Sequence, residues 1–159
     1  MRITCAVAAA AALMLAAAAS ATAIPPKNGC SPARTRSLID RFVRAFNMGD
    51  TSAINGTWAS KVSFKWYGVT TDPGARTSTE AARRDTLLSY FISRHAVHES
   101  LTLVGLKLHG VSGGGYRNFE FQLMRSADDL PGGSVAYDGK GASTCSTGRL
   151  IAWVMGAAK

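Results

Sequence analysis

The sequence predicts an α+β fold, with helices laid on one face of a curved antiparallel sheet. Three observations carry that expectation. Apolar residues recur at helical spacing from Leu38 to Phe46. The period switches to two between Lys61 and Tyr67. From Leu101 to Met155 a run of alternating segments follows, broken by glycine- and aspartate-containing turns. Helices first and strands after read as α+β, not as the regular alternation of a parallel-sheet protein.

Each element has its own signals. Ser31-Pro32 is an N-cap followed by proline at the first helical position, where a missing N–H is harmless. Leu38, Ile39, Phe42, Val43 and Phe46 form one stripe, and Gly49 is a C-terminal stop. Asp50 or Ser52 can cap a second, short helix in which Ile54 and Trp58 stand four apart, weakened by Asn55-Gly56. In the strand Lys61–Tyr67, Val62, Phe64 and Trp66 take one face and Lys61, Ser63 and Lys65 the other. Thr70 to Gly74 reads as a loop.

Thr77-x-x-Glu80 reads as a capping box that opens a long helix through about Arg94. That helix would turn Ala81, Leu88, Phe91 and Ile92 inward and place Arg94 and His95 at its negative end. Strands then follow over Leu101–Val111 and Tyr116–Arg125, joined by the glycine turn Ser112–Gly115. After a loop at Asp128–Gly133, Val135–Cys145 and Arg149–Met155 make a closing hairpin around Ser146-Thr147-Gly148. The chain has no internal repeats.

Residues 1–23 read as a removable secretory signal peptide. Arg2 supplies the positive end, Ala6–Ala19 the apolar run and Ala21-Thr22-Ala23 the small-residue cleavage site. Cleavage leaves a lead-in at 24–30 and a domain at 31–156, working in a secreted or cell-envelope setting with no membrane span. Cys5 departs with the leader. In an oxidising compartment the remaining pair, Cys30 and Cys145, is expected to form a disulfide. Closing so long a loop is worth roughly 4–5 kcal/mol in the chain-entropy account.

Of 18 Lys and Arg only Arg2 is lost, so 17 stand against 10 Asp and Glu and the net charge is +7. Such charge favours anionic cell-envelope polymers as partners. Nucleic acid is disfavoured, because the arginines are scattered and carry no aromatic-interleaved signature. Arg34, Arg41 and Arg44 fall on the polar side of the first helix.

In its element order, the Phe46–Asp50 segment F-N-M-G-D and the strand K-V-S-F-K-W at Lys61–Trp66, the chain resembles the nuclear transport factor 2-like superfamily, in its SnoaL-like (polyketide-cyclase-like) branch. The resemblance covers about Ser31 to Gly156. It implies a cone-shaped sheet wrapped around a long helix, with an apolar pocket inside. Phe42, Phe46, Phe64, Trp66, Phe91 and Trp153 are then the pocket-lining residues, and a homodimer through the sheet face is a further expectation.

The resemblance also lets one enzyme mechanism be checked. The ketosteroid isomerases of this superfamily use a helix tyrosine and a strand aspartate; the matching positions here are Phe42 and Trp66. Phenylalanine has no hydroxyl and indole is no base near neutral pH. The acid best placed to act is Glu120, mid-strand between Asn118 and Gln122 and opposite Phe119 and Phe121. Facing the cone it would be a buried general base; facing water it would be an ordinary surface residue.

His95, His98 and Glu99 have the wrong spacing for a helical metal site, and His109 alternates with Lys107 on the wet side of its strand. Neither metal nor cofactor is expected. The sequence thus favours a secreted, non-catalytic domain that binds a small apolar ligand or a protein partner. The alternatives are an isomerase, dehydratase or cyclase using Glu120 or a histidine, and a basic envelope-associated protein.

Overall fold

A computed structural model describes residues 29–67, 78–130 and 132–158. The expected signal peptide at 1–23, the lead-in up to residue 28, the expected loop at 70–74 and Thr77 lie outside the described residues, as does position 131. The elements are α1 (Pro32–Met48), α2 (Thr51–Thr57), β1 (Trp58–Tyr67), β2 (Ser78–Arg83), α3 (Arg84–His95), β3 (Ser100–Val111), β4 (Tyr116–Ser126), β5 (Ser134–Thr144) and β6 (Leu150–Ala157). One curved, unclosed sheet has the order β2-β1-β6-β5-β4-β3. The final strand slides in beside β1 in parallel, whereas the other neighbours pair antiparallel.

The caps of α1 follow from its sequence. The Ser31 hydroxyl accepts from the Arg34 N–H at 3.3 Å, and Pro32 opens the first turn. Gly49 ends the helix at φ 66°, a left-handed conformation that costs glycine little. A side chain there would also collide with the His95 ring. Asp50 then caps α2 by accepting from the Ala53 N–H at 2.9 Å.

Two expectations are corrected. Trp58 does not close the short helix; it is the first residue of β1 and fully buried. The segment Ser78–Arg83 does not begin a long helix. It is the edge strand β2, in register with β1 through Phe64↔Ala81, Lys65↔Glu80 and Trp66↔Thr79. Glu80 faces outward and pairs with Lys65, so it caps nothing. Pairing with an open strand edge has overridden a local helix signal, as tertiary context often does.

Helix α3 therefore starts seven residues later than Thr77, with Asp85 in its first turn. It has 12 residues against 17 in α1, so the longer helix of the fold is α1. The late start also rotates its faces. Leu87 and Phe91 are buried, and Ile92, expected inside, is 56% exposed.

Both long helices pack on the inner face of the sheet, where Phe42 sits at the centre. Its ring centroid lies 5.1–6.2 Å from those of Phe46, Trp58, Phe91 and Trp153. Among the described residues no helix is long and apolar enough to cross a membrane. Cys30 and Cys145 form a disulfide between the start of α1 and the end of β5.

Candidate functional site

The period of two in the strands creates two unlike surfaces from the same residues. On β4, Phe119, Phe121, Leu123 and Arg125 are buried, and Asn118, Glu120, Gln122 and Met124 are exposed. Phe121 stacks on Trp153 at 3.9 Å with an interplanar angle of 27°. Opposite these rings, β5 carries Gly139 and Gly141. A Cβ there would lie 2.2 Å from Phe121 and 2.5 Å from Phe119, so the rings occupy the space a side chain would need.

The six residues expected to line a pocket all lie inside, each at most 3% exposed. They are in ring-to-ring contact with one another: Phe46 on Trp66 at 6.0 Å, Phe64 on Phe91 at 5.6 Å, Phe42 on Trp153 at 5.1 Å. The interior is a packed aromatic core. Two of its polar atoms, the indole N–H groups of Trp58 and Trp66, have no acceptor among the described residues.

One polar cluster penetrates this core. The Arg125 guanidinium, 3% exposed, donates to both oxygens of Glu99 at 2.7 and 2.9 Å and to the Tyr137 hydroxyl at 3.0 Å. It also lies 4.9 Å above the Trp66 ring. Arg94 holds Glu99 from the other side and reaches Asp129 with two bonds of 2.6 Å. Both Glu99 oxygens thus accept from guanidinium donors, which ties the carboxylate into the cluster.

The cluster sets the local titration. Burial pushes Tyr90, beside it, up to about 12, only partly offset by Arg125. The Arg94 bond holds Asp129 below the usual carboxylate range. Burial is the largest single influence on Arg125 and opposes its charge, but the hydrogen bond and charge of Glu99, with Tyr137 and Tyr90, together outweigh it and the pKa rises.

Sequence reading missed this cluster, although a signal was present. Arg125 continues the inward parity of Phe119, Phe121 and Leu123, and a charge on the buried face of a strand requires a buried partner.

Glu120 faces outward. Its side chain is 56% exposed, with His109 Nε2 at 3.2 Å and Lys107 Nζ at 3.7 Å. The remaining histidines stand apart from it. His95 packs against Gly49, and His98, with φ 52°, pairs with Asp128 at 2.7 Å. Among the described residues no group of three His, Cys, Asp or Glu is placed to hold a metal ion.

Around Glu120 the outer face is dented. Three adjoining hollows of about 470, 380 and 360 Å³ share it. Small residues floor them, among them Gly105, Gly139, Ala142 and Ala152, and Lys107, Asp138 and Lys140 stand at their sides.

No family model matches the chain, and no curated protein is significantly similar to it. Solved structures match its fold. An uncharacterised protein from Caulobacter vibrioides with a cystatin-like fold superposes at a TM-score of 0.63 and 11% identity, covering 80% of this chain and 89% of that one. A candidate polyketide cyclase from Sinorhizobium meliloti gives 0.54 and 16%, with coverage of 76% and 94%. A nuclear transport factor 2-like protein of unknown function from Cytophaga hutchinsonii gives 0.54 and 11%, with 78% and 89%.

The chain has the nuclear transport factor 2-like fold. At such identities the likeness shows fold alone, because this architecture hosts unrelated activities.

Proposed function

We propose that the chain is an exported binding module without acid–base chemistry, which meets a protein partner on the outer face of its sheet. The filled interior carries this reading. Aromatic rings occupy the inside of the cone, with Phe42 and Trp66 where the resemblance would put an acid and a base, and Glu120 lies on the opposite face. A small apolar ligand would have to displace packed rings, whereas the outer trough is open.

The pattern of that face favours a second copy as the partner. One row of outward residues crosses the six strands: Glu80, Lys65, Val154, Lys140, Glu120, Lys107. A two-fold axis parallel to the strands, passing between β6 and β5, sets Glu80 against Lys107 and Lys65 against Glu120. An axis across the strands sets each charge against its own copy and is repelled.

Sedimentation velocity tests the pairing. The expected result is a dimer that weakens with salt, is broken by Lys65→Glu or Glu120→Lys, and is restored when both are combined. A monomer at roughly 100 µM would exclude the second copy. Native mass spectrometry showing an apolar molecule retained inside the fold would overturn the closed interior. The mass of the exported protein checks loss of residues 1–23.

A further inference from the structure

The disulfide end of the molecule carries a second, unrelated cleft. It lies between α1 and the turn from β5 to β6, has a volume of about 360 Å³, and is lined by Arg34, Ser37, Arg41, Ser146, Thr147 and Gly148. Arg34 and Arg41 are two helical turns apart, about 10 Å along the axis, with Ser37 between them on the same side. Both arginines are exposed, and among the described residues neither makes a salt bridge. The opposing turn is held in place by the neighbouring Cys30–Cys145 bond and by the Gly148 N–H donating to Thr144 at 2.9 Å.

We propose that this cleft binds a phosphate ester. Two guanidinium forks in a cleft that also holds the Ser37 and Ser146 side chains supply more donors than a carboxylate can accept, and they match the oxygens of a phosphoryl group. The volume equals that of about a dozen waters at roughly 30 Å³ each, more than a bare ion fills. The polar lining suits a hydroxylated substituent such as a glycerol or sugar. This site is independent of the sheet face, so either can fail without the other.

The phosphate could belong to a small ester or to a polyol-phosphate polymer, and the test separates them. Amide NMR spectra of the purified protein are recorded during titration with inorganic phosphate, glycerol phosphate and poly(glycerol phosphate). Saturable shifts confined to Ser37, Arg41 and Ser146–Gly148 are expected. A response to glycerol phosphate assigns a small ester; a response to the polymer alone assigns a phosphodiester chain.

Arg34→Gln and Arg41→Gln should each weaken binding about tenfold, the effect of losing one charge-assisted pair. Arg44→Gln removes the same charge from the same helix outside the cleft and should change affinity less than about twofold. These residues are exposed, so an unchanged melting temperature verifies folding. Three results would overturn the proposal: no localised shifts with any probe, equal weakening by Arg44→Gln, or inorganic phosphate binding as tightly as the esters.

Discussion

The inner and outer faces of the sheet are made by the same strands, yet they obey different rules. Inside, Phe119 and Phe121 press on Gly141 and Gly139, and among the described residues the buried charges are Glu99 and Arg125, which neutralise each other. Outside, Lys107, Glu120 and Lys140 stand in register and exposed, and the Lys107–Glu120 ion pair is loose at 3.7 Å. Burial decides how much any one residue matters. An ion pair that is costly to break inside contributes little outside, although the chemistry of the two groups is the same.

The largest test of that contrast is Glu99→Ala. It strands Arg125 in the core, with only the Tyr137 hydroxyl left to it, and should cost about 3–5 kcal/mol in urea unfolding. A loss below about 1 kcal/mol would mean that water reaches Arg125. Gly139→Ala comes next. The added Cβ meets the Phe121 ring, and overpacking of this kind costs about 1–3 kcal/mol. Adding Phe121→Leu should recover part of that loss if the ring is the obstacle.

Alkali probes the same interior. Burial raises the folded Tyr90 pKa to about 12, above the unfolded value near 10. Its contribution is therefore complete below pH ~10 and fades as pH rises through the folded value, by at most about 1.4 kcal/mol per unit. Tyr90→Phe should flatten the alkaline limb of a stability–pH curve. The smallest effect belongs outside: Glu120→Gln should shift stability by less than about 0.5 kcal/mol.

Much of this layout was legible in the sequence, and the parts that were not share a cause. The caps of α1, its stripe and the alternation of β4 are local signals, readable from neighbours within a few residues. The β2 strand was not legible because Thr77-x-x-Glu80 is locally a helix start, and only the open edge of β1 makes it a strand. The Arg94–Glu99–Arg125 cluster joins α3, the turn after it and β4, so no single segment displays it. The Cys30–Cys145 bond matches the pairing expected of the two cysteines that lie outside the expected leader. The arginines of the disulfide-end cleft were legible only as a solvated helix face, because the turn opposite them is more than a hundred residues away.

The crosslink has a mechanical meaning as well. It closes a ring that runs from the entrance of α1 to the end of β5, and of the described elements β6 alone lies outside it. A load applied at the two ends of the chain would pass through the sulfur–sulfur bond and then directly into β6, leaving the ringed elements out of the force path. Between Cys30 and Ala157, therefore, only the turn 146–149 and β6 can extend before a covalent link bears the tension.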